Sequence, residues 1–145
     1  LRARIDEVVE DAQAGKVRPS LLAIDLDDFK AVNDSFSHTI GDQVLRAVAR
    51  AVSENVRVDD MVARRGGDEF LVVTELACEE ELEAMAKRVR ESITDARRRI
   101  CPQLVPTASV AVVHWRDGDD ADEFLRHADV GLHERKVETK RLQTA

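Results

Sequence analysis

Apolar residues recur along this chain with the rhythm of helices in some stretches and of strands in others. Leu1 to Gln13 reads as a helix with Leu1, Ile5, Val8, Val9 and Ala12 on one face. Gly15 and Pro19 break it, and Leu21 to Leu26 is an apolar run of strand length. Phe29 to Ser35 predicts a short helix, followed by a polar turn around Ser37 to Gly41. Asp42 is placed to cap the next helix, whose inward face is Val44, Leu45, Val48, Val52 and Val56. Met61 to Arg64 and Phe70 to Thr74 flank Gly66-Gly67, which is a hairpin signal. Glu79 to Arg97 is amphipathic, with Leu82, Met85, Ala86, Val89 and Ile93 inward. Leu104 to Trp115 alternates and is rich in β-branched residues, so it predicts a strand. Ala121 to Arg141 closes the chain as a helix burying Phe124, Leu125, Ala128 and Leu132. This order predicts an α+β fold, with helices laid over a mostly antiparallel central sheet.

Composition narrows the function classes. The 145 residues suit one compact domain, and no apolar run approaches the roughly 20 residues of a membrane span. The first residues are a charged amphipathic segment rather than a signal peptide. Because the chain starts without Met and inside a helical pattern, we expect a single domain, 1–145, cut from a longer protein. A net charge of −7 argues against nucleic acid as partner. It leaves room for a phosphorylated small molecule, since a bound cation reverses the local sign. Cys78 and Cys101 have no metal-ligand spacing and are expected to be free thiols in a reducing cytoplasm.

Candidate chemistry gathers where strands end. Asp25, Asp27 and Asp28 follow the first apolar run, and Asp68-Glu69 follow the glycine pair. If those strands are neighbours, the carboxylates converge, and such a cluster calls for a hard cation. Magnesium suits it, because that ion takes one or two carboxylates and completes its shell with water and substrate phosphate. Glycine at 66 and 67 permits positive φ and lets a ligand approach the backbone. Lys30, with the free N–H groups of the helix start around it, predicts a phosphate cradle. Asn33 and Asp42 are placed for the far end of a nucleotide, where a carboxylate accepts N1–H and N2–H of guanine together.

The run Asp25-Leu26-Asp27-Asp28-Phe29-Lys30, then Asn33-Asp34, His38, Gly41-Asp42 and Leu45, resembles the first motif of the GGDEF diguanylate cyclase family. Arg64-Arg65-Gly66-Gly67-Asp68-Glu69-Phe70 is similar to the family signature, letter for letter over its last five residues. Thr107-Ala108-Ser109, Ala128-Asp129, Leu132 and Lys136 resemble its weaker carboxyl-terminal motifs. The resemblance implies a fold like ferredoxin-like nucleotidyl cyclases and polymerase palms. It implies Asp25, Asp68 and the Leu26 carbonyl as ligands of Mg2+, or alternatively Mn2+. Asp68 and Glu69 would be catalytic, with Glu69 at a second metal site or activating the attacking hydroxyl. Gly66, Gly67, Lys30, Lys136 and Lys140 would hold GTP, and Asn33 with Asp42 would read its base. Two such domains would meet as a homodimer and join two GTP into cyclic di-GMP, releasing pyrophosphate. Arg57 and Asp60, completed by Arg88 or Arg90, resemble the family's inhibitory site for the product. The family's amino-terminal Asp-x-Leu-Thr-Gly-Leu segment would lie upstream of Leu1.

Departures from the family pattern are Ser37 for a glycine, Arg65 for an aromatic, Ala111 for a glycine, His133 for a tyrosine and Thr139 for a glycine. With Arg57 to Asp60, they leave open a non-catalytic receptor for GTP or cyclic di-GMP; a cyclase that also accepts ATP is a weaker reading, against which Asp42 argues. Plainer roles compete residue by residue. Asp42 would be a helix cap, the three lysines surface charges, and Arg57 with Asp60 a surface ion pair. His38 would orient its turn, Arg97 to Arg99 would be a solvated helix end, and Asp27 would alternate away from Asp25.

Overall fold

The computed structural model describes residues 1–76, 78–103 and 107–144. The elements run α1 (Arg2–Gln13), β1 (Ser20–Leu26), α2 (Phe29–Ser35), α3 (His38–Glu54), β2 (Met61–Gly66), β3 (Glu69–Thr74), α4 (Glu79–Ile100), β4 (Ala108–His114) and α5 (Ala121–Thr144). The strands form one sheet in the order β2-β3-β1-β4, and every neighbouring pair is antiparallel. The α+β architecture expected from the sequence is therefore present.

β1 is central and buried at every position. Leu22, Ile24 and Leu26 point to one side and pack with Phe70, Val72 and Val110 against α2, α3 and α4. Leu21 and Ala23 point to the other and pack with Leu71, Val73 and Val113 against α1 and α5. A strand covered on both faces needs an unbroken apolar run, which is what Leu21 to Ile24 supplies. Helices thus cover both faces of the sheet, one more than the sequence reading required. On the second face Gly131 of α5 lies so near β4 that a Cβ there would stand 3.2 Å from that of Ala111.

Other local differences have plain causes. Leu1 is 41% exposed, because α1 begins at Arg2 and its buried stripe starts at Ile5. Asp42 does not cap α3. The helix begins at His38, inside the expected turn, and Ser37 is its cap, its hydroxyl accepting from the Ile40 N–H at 3.2 Å. α4 runs on to Ile100, so Arg97 falls on its buried stripe instead of a solvated end, and it is only 2% exposed. The last strand covers Ala108–His114; the part of that prediction on 104–106 lies outside the described residues. No helix among the described residues is long and apolar enough to cross a membrane.

Candidate active site

β1 and β3 are neighbours, and their register places Asp25 directly opposite Glu69. The Leu26 N–H donates to the Asp68 carbonyl at 3.1 Å, tying the end of β1 to the hairpin turn. In that turn Gly66 has φ +135° and Gly67 φ +49°, conformations that L side chains rarely adopt. Arg64 braces it, Nε donating to the Gly67 carbonyl at 2.9 Å. A cleft of about 240 Å³ opens beside it, lined among others by Asp25, Asp68, Lys30, Lys136, Thr139 and Lys140.

The charge balance of this cleft is unusual for a protein interior. The Asp25 side chain is 5% exposed, and its Oδ2 accepts from Lys136 Nζ at 2.7 Å. Its Oδ1 is buried without a hydrogen-bond partner among the described residues. Burial pushes the Asp25 carboxyl above its usual range; Lys136 pulls it back, while the charges of Asp68 and Glu69 push it further. Burial also works against the Lys136 ammonium. The hydrogen bond and charge of Asp25, with Asp68 and Asp27 beyond, outweigh it and raise that pKa. A buried acceptor left unmade costs roughly 1–3 kcal/mol, so Asp25 is held in a state that a ligand would relieve.

Among the described residues no three His, Cys, Asp or Glu side chains are gathered to cage a metal. Of the four aspartates that line the cleft, Asp25 and Asp68, the first with an orphaned oxygen, fit a hard ion that completes its shell with substrate phosphate and water. Leu26 lines this cleft as expected. Glu69 does not, although its charge is felt at Asp25.

Asn33 and Asp42 sit apart from the acidic end. Gly41 is buried, and a Cβ on it would fall 2.0 Å from Asn33 Oδ1, so α2 and α3 meet at these residues. Asp42, one residue on, is exposed and free of capping duty.

Arg57, Asp60 and Arg88 lie elsewhere. Asp60 is not ion-paired with Arg57; its Oδ2 accepts the Arg57 backbone N–H at 2.8 Å, closing a tight turn before β2. That leaves the Arg57 side chain exposed. Arg88 precedes Ser92 by one turn of α4, and Ser92 shares a recess with Ala51 and Glu54 at the end of α3. Arg88 is therefore on the side of α4 that faces the end of α3, three residues before Arg57. Arg90 lines a different recess, with Thr94, Arg98 and Thr107.

Several contacts escaped the sequence reading. Asp27 does not turn away from Asp25: residues two apart along a strand share a face, and both line the cleft. Asp27 is held at both oxygens, by Thr107 Oγ1 at 2.6 Å and by Oγ of Ser109, the residue opposite Asp25, at 2.9 Å. Arg65 makes a two-pronged ion pair with Asp129 of α5, which ties the signature hairpin to the helix carrying Lys136. The arginine in an aromatic's place and the Thr-x-Ser pair were the only signals. With Asp129 56% exposed, a double-mutant cycle of Arg65→Ala and Asp129→Ala should give a coupling of only about 0.5 kcal/mol in urea unfolding.

Comparison with known proteins agrees with this geometry. The family model described as "Diguanylate cyclase, GGDEF domain" matches residues 1–141, and the chain belongs to that family. It is 36% identical over 132 residues to the probable diguanylate cyclase DgcT of Escherichia coli K12, covering 88% of this chain and 29% of DgcT. It is 35% identical over 133 residues to the cyclic di-GMP phosphodiesterase PdeR of the same organism, covering 91% of this chain and 20% of PdeR. The chain thus spans less than a third of either relative. Among solved structures, the active GGEEF domain of a diguanylate cyclase from Vibrio cholerae superposes with a TM-score of 0.85 at 26% identity, covering 95% of this chain and 88% of that one.

Proposed function

We propose that this domain is a diguanylate cyclase, joining two GTP into cyclic di-GMP with release of two pyrophosphates when two copies face each other. The observation that carries the reading is Asp25. A carboxylate buried at a strand end, with one oxygen unsatisfied and the other on a lysine, is costly for a fold and useful only to a ligand.

A divalent ion, Mg2+ or Mn2+, bound at Asp25, Asp68 and the Leu26 carbonyl would neutralise charge on the transferring phosphoryl group and its attacking oxygen. The protein's part is orientation. Lys136, Lys140 and Lys30 line the same cleft and hold the triphosphate. Gly66 and Gly67, with open space where a Cβ would stand, let the nucleotide lie against the backbone. Asn33 and Asp42 take the guanine, and Asp42 disfavours ATP because adenine offers no donor pair to a carboxylate. Glu69, opposite Asp25 but outside the cleft, acts when the second half-site closes over the first. Lys136 moves from Asp25 to phosphate as the nucleotide enters. Arg57, Asp60 and Arg88 form a separate product site, its turn fixed by the Asp60 cap.

A receptor without turnover is the second reading, favoured by the match to a protein named a phosphodiesterase and by the spared arginine turn. The double variant Asp68→Ala/Glu69→Ala separates the two. Its product formation should fall at least about 10²-fold while cyclic di-GMP binding, followed by calorimetry, is retained. An unmodified chain that binds cyclic di-GMP but forms none from GTP supports the receptor.

A further inference from the structure

The last turn of α4 carries Arg97, Arg98 and Arg99, of which only Arg97 is buried. Burying a guanidinium costs several kcal/mol unless a carboxylate or a full set of hydrogen bonds compensates it. Among the described residues the Arg97 side chain has no carboxylate within ion-pair distance and makes one hydrogen bond, from Nη1 to the Thr107 carbonyl at 2.5 Å. Burial accordingly lowers its pKa, opposed by the charges of Asp27, Asp28 and, more weakly, Cys101 and Asp68. For packing alone an apolar side chain would serve the fold as well or better.

The Thr107 carbonyl is a shared point. It accepts from Arg97 and also from the backbone N–H of Asp27 at 3.1 Å. Thr107 Oγ1 and Ser109 Oγ then hold the two carboxylate oxygens of Asp27. Asp27 lines the cleft together with its neighbours Leu26 and Asp28. Asp28, at φ +53°, is the one non-glycine residue of positive φ among the described residues. A conformation of that kind persists when its surroundings over-determine it. The charges point the same way. Asp25, Asp27, Asp28 and Asp68 surround one cleft, and Arg97 offsets their repulsion from behind without occupying it.

We propose that Arg97 is a positioning residue for metal-bound GTP, acting through Thr107 and Asp27 to fix the bend after β1 on which the Leu26 carbonyl and Asp28 sit. This rests on the nucleotide-cleft reading above, and binding rather than turnover tests it. The Mg2+ concentration giving half-maximal binding of a fluorescent methylanthraniloyl-GTP is compared for the unmodified chain and for Arg97→Met, Arg97→Lys, Asp27→Asn and the Arg97→Met/Asp27→Asn pair. Thermal unfolding without ligand is measured alongside.

Arg97→Met should raise that midpoint about 10-fold or more, as removal of a partner behind a metal ligand commonly does. Its ligand-free melting temperature should not fall. Arg97→Lys should recover part of the shift, and the double variant should be no worse than Asp27→Asn alone. Mg2+-dependent binding with a midpoint within about 2-fold of the unmodified chain in Arg97→Met overturns the proposal alone. If that variant does not fold, the same unchanged midpoint in Arg97→Lys overturns it. Failure of the unmodified chain to bind the nucleotide with Mg2+ overturns the nucleotide reading and this proposal with it.

Discussion

Asp25→Asn is expected to remove turnover and to stabilise the ligand-free protein at the same time. The activity loss follows from the proposed metal site, where a neutral amide replaces the carboxylate with the unsatisfied oxygen; about 10²–10³-fold is the scale for losing one charge-stabilising group. The stability gain follows from burial. Folding raises the Asp25 carboxyl above its ordinary value of 3.8, so the folded state favours its neutral form. The stability this contributes is full below 3.8 and is lost as pH rises through the higher folded value. Asparagine stays neutral throughout. The variant should therefore match the unmodified chain near pH 4 and exceed it by on the order of 1 kcal/mol at pH 7.5. The gain is limited because Lys136, 41% exposed, loses a partner but regains water. Urea unfolding in metal-free buffer at the two pH values measures it. An Asp25→Asn protein weaker than the unmodified chain at pH 7.5 would show that the Lys136 pair outweighs the buried charge.

Gly41→Ala should separate stability from nucleotide affinity. Its backbone is ordinary helix, so alanine gains about 1 kcal/mol of helix propensity. The new Cβ would fall 2.0 Å from Asn33 Oδ1, which must swing away, and the end of one side chain can do so cheaply. Stability should change little. If Asn33 contacts the guanine, its displacement loses one or two hydrogen bonds, raising the GTP dissociation constant roughly 10-fold to 100-fold. Calorimetric titration with GTP and Mg2+, beside a melting curve, reads both. Unchanged affinity would remove Asn33 from the base site.

What was legible in the sequence was whatever its local pattern alone determines. The apolar run Leu21 to Ile24, the glycine pair and the long amphipathic stretches each specify their element from nearby residues, and the elements came out in the expected order. The convergence of Asp25 with Asp68 and Glu69 followed once β1 and β3 were taken as neighbours. Features set by distant partners were not legible. Asp42 looked like a cap because polar residues precede the apolar stripe, yet Ser37 starts the helix earlier and Gly41 continues it against Asn33. Arg97 looked solvated because its neighbours are arginines, but it lies on the buried stripe of α4 and its guanidinium donates to the distant Thr107 carbonyl. The Arg65 pair with Asp129 joins β2 to α5, and the arginine in an aromatic's place does not reveal that partner. Arg57 and Asp60 have the spacing of an ion pair, but the carboxylate satisfies a backbone N–H first.

The central claim is that this cleft performs GTP condensation, and the most direct measurement is product formation. The purified chain, at a series of protein concentrations, is incubated with GTP and Mg2+ and the nucleotides are separated by chromatography. The account predicts cyclic di-GMP and pyrophosphate in a 1:2 ratio, at a rate per chain that rises with protein concentration because each copy supplies half a site. GTP that binds with Mg2+ but stays intact at concentrations where the chain is dimeric would contradict it.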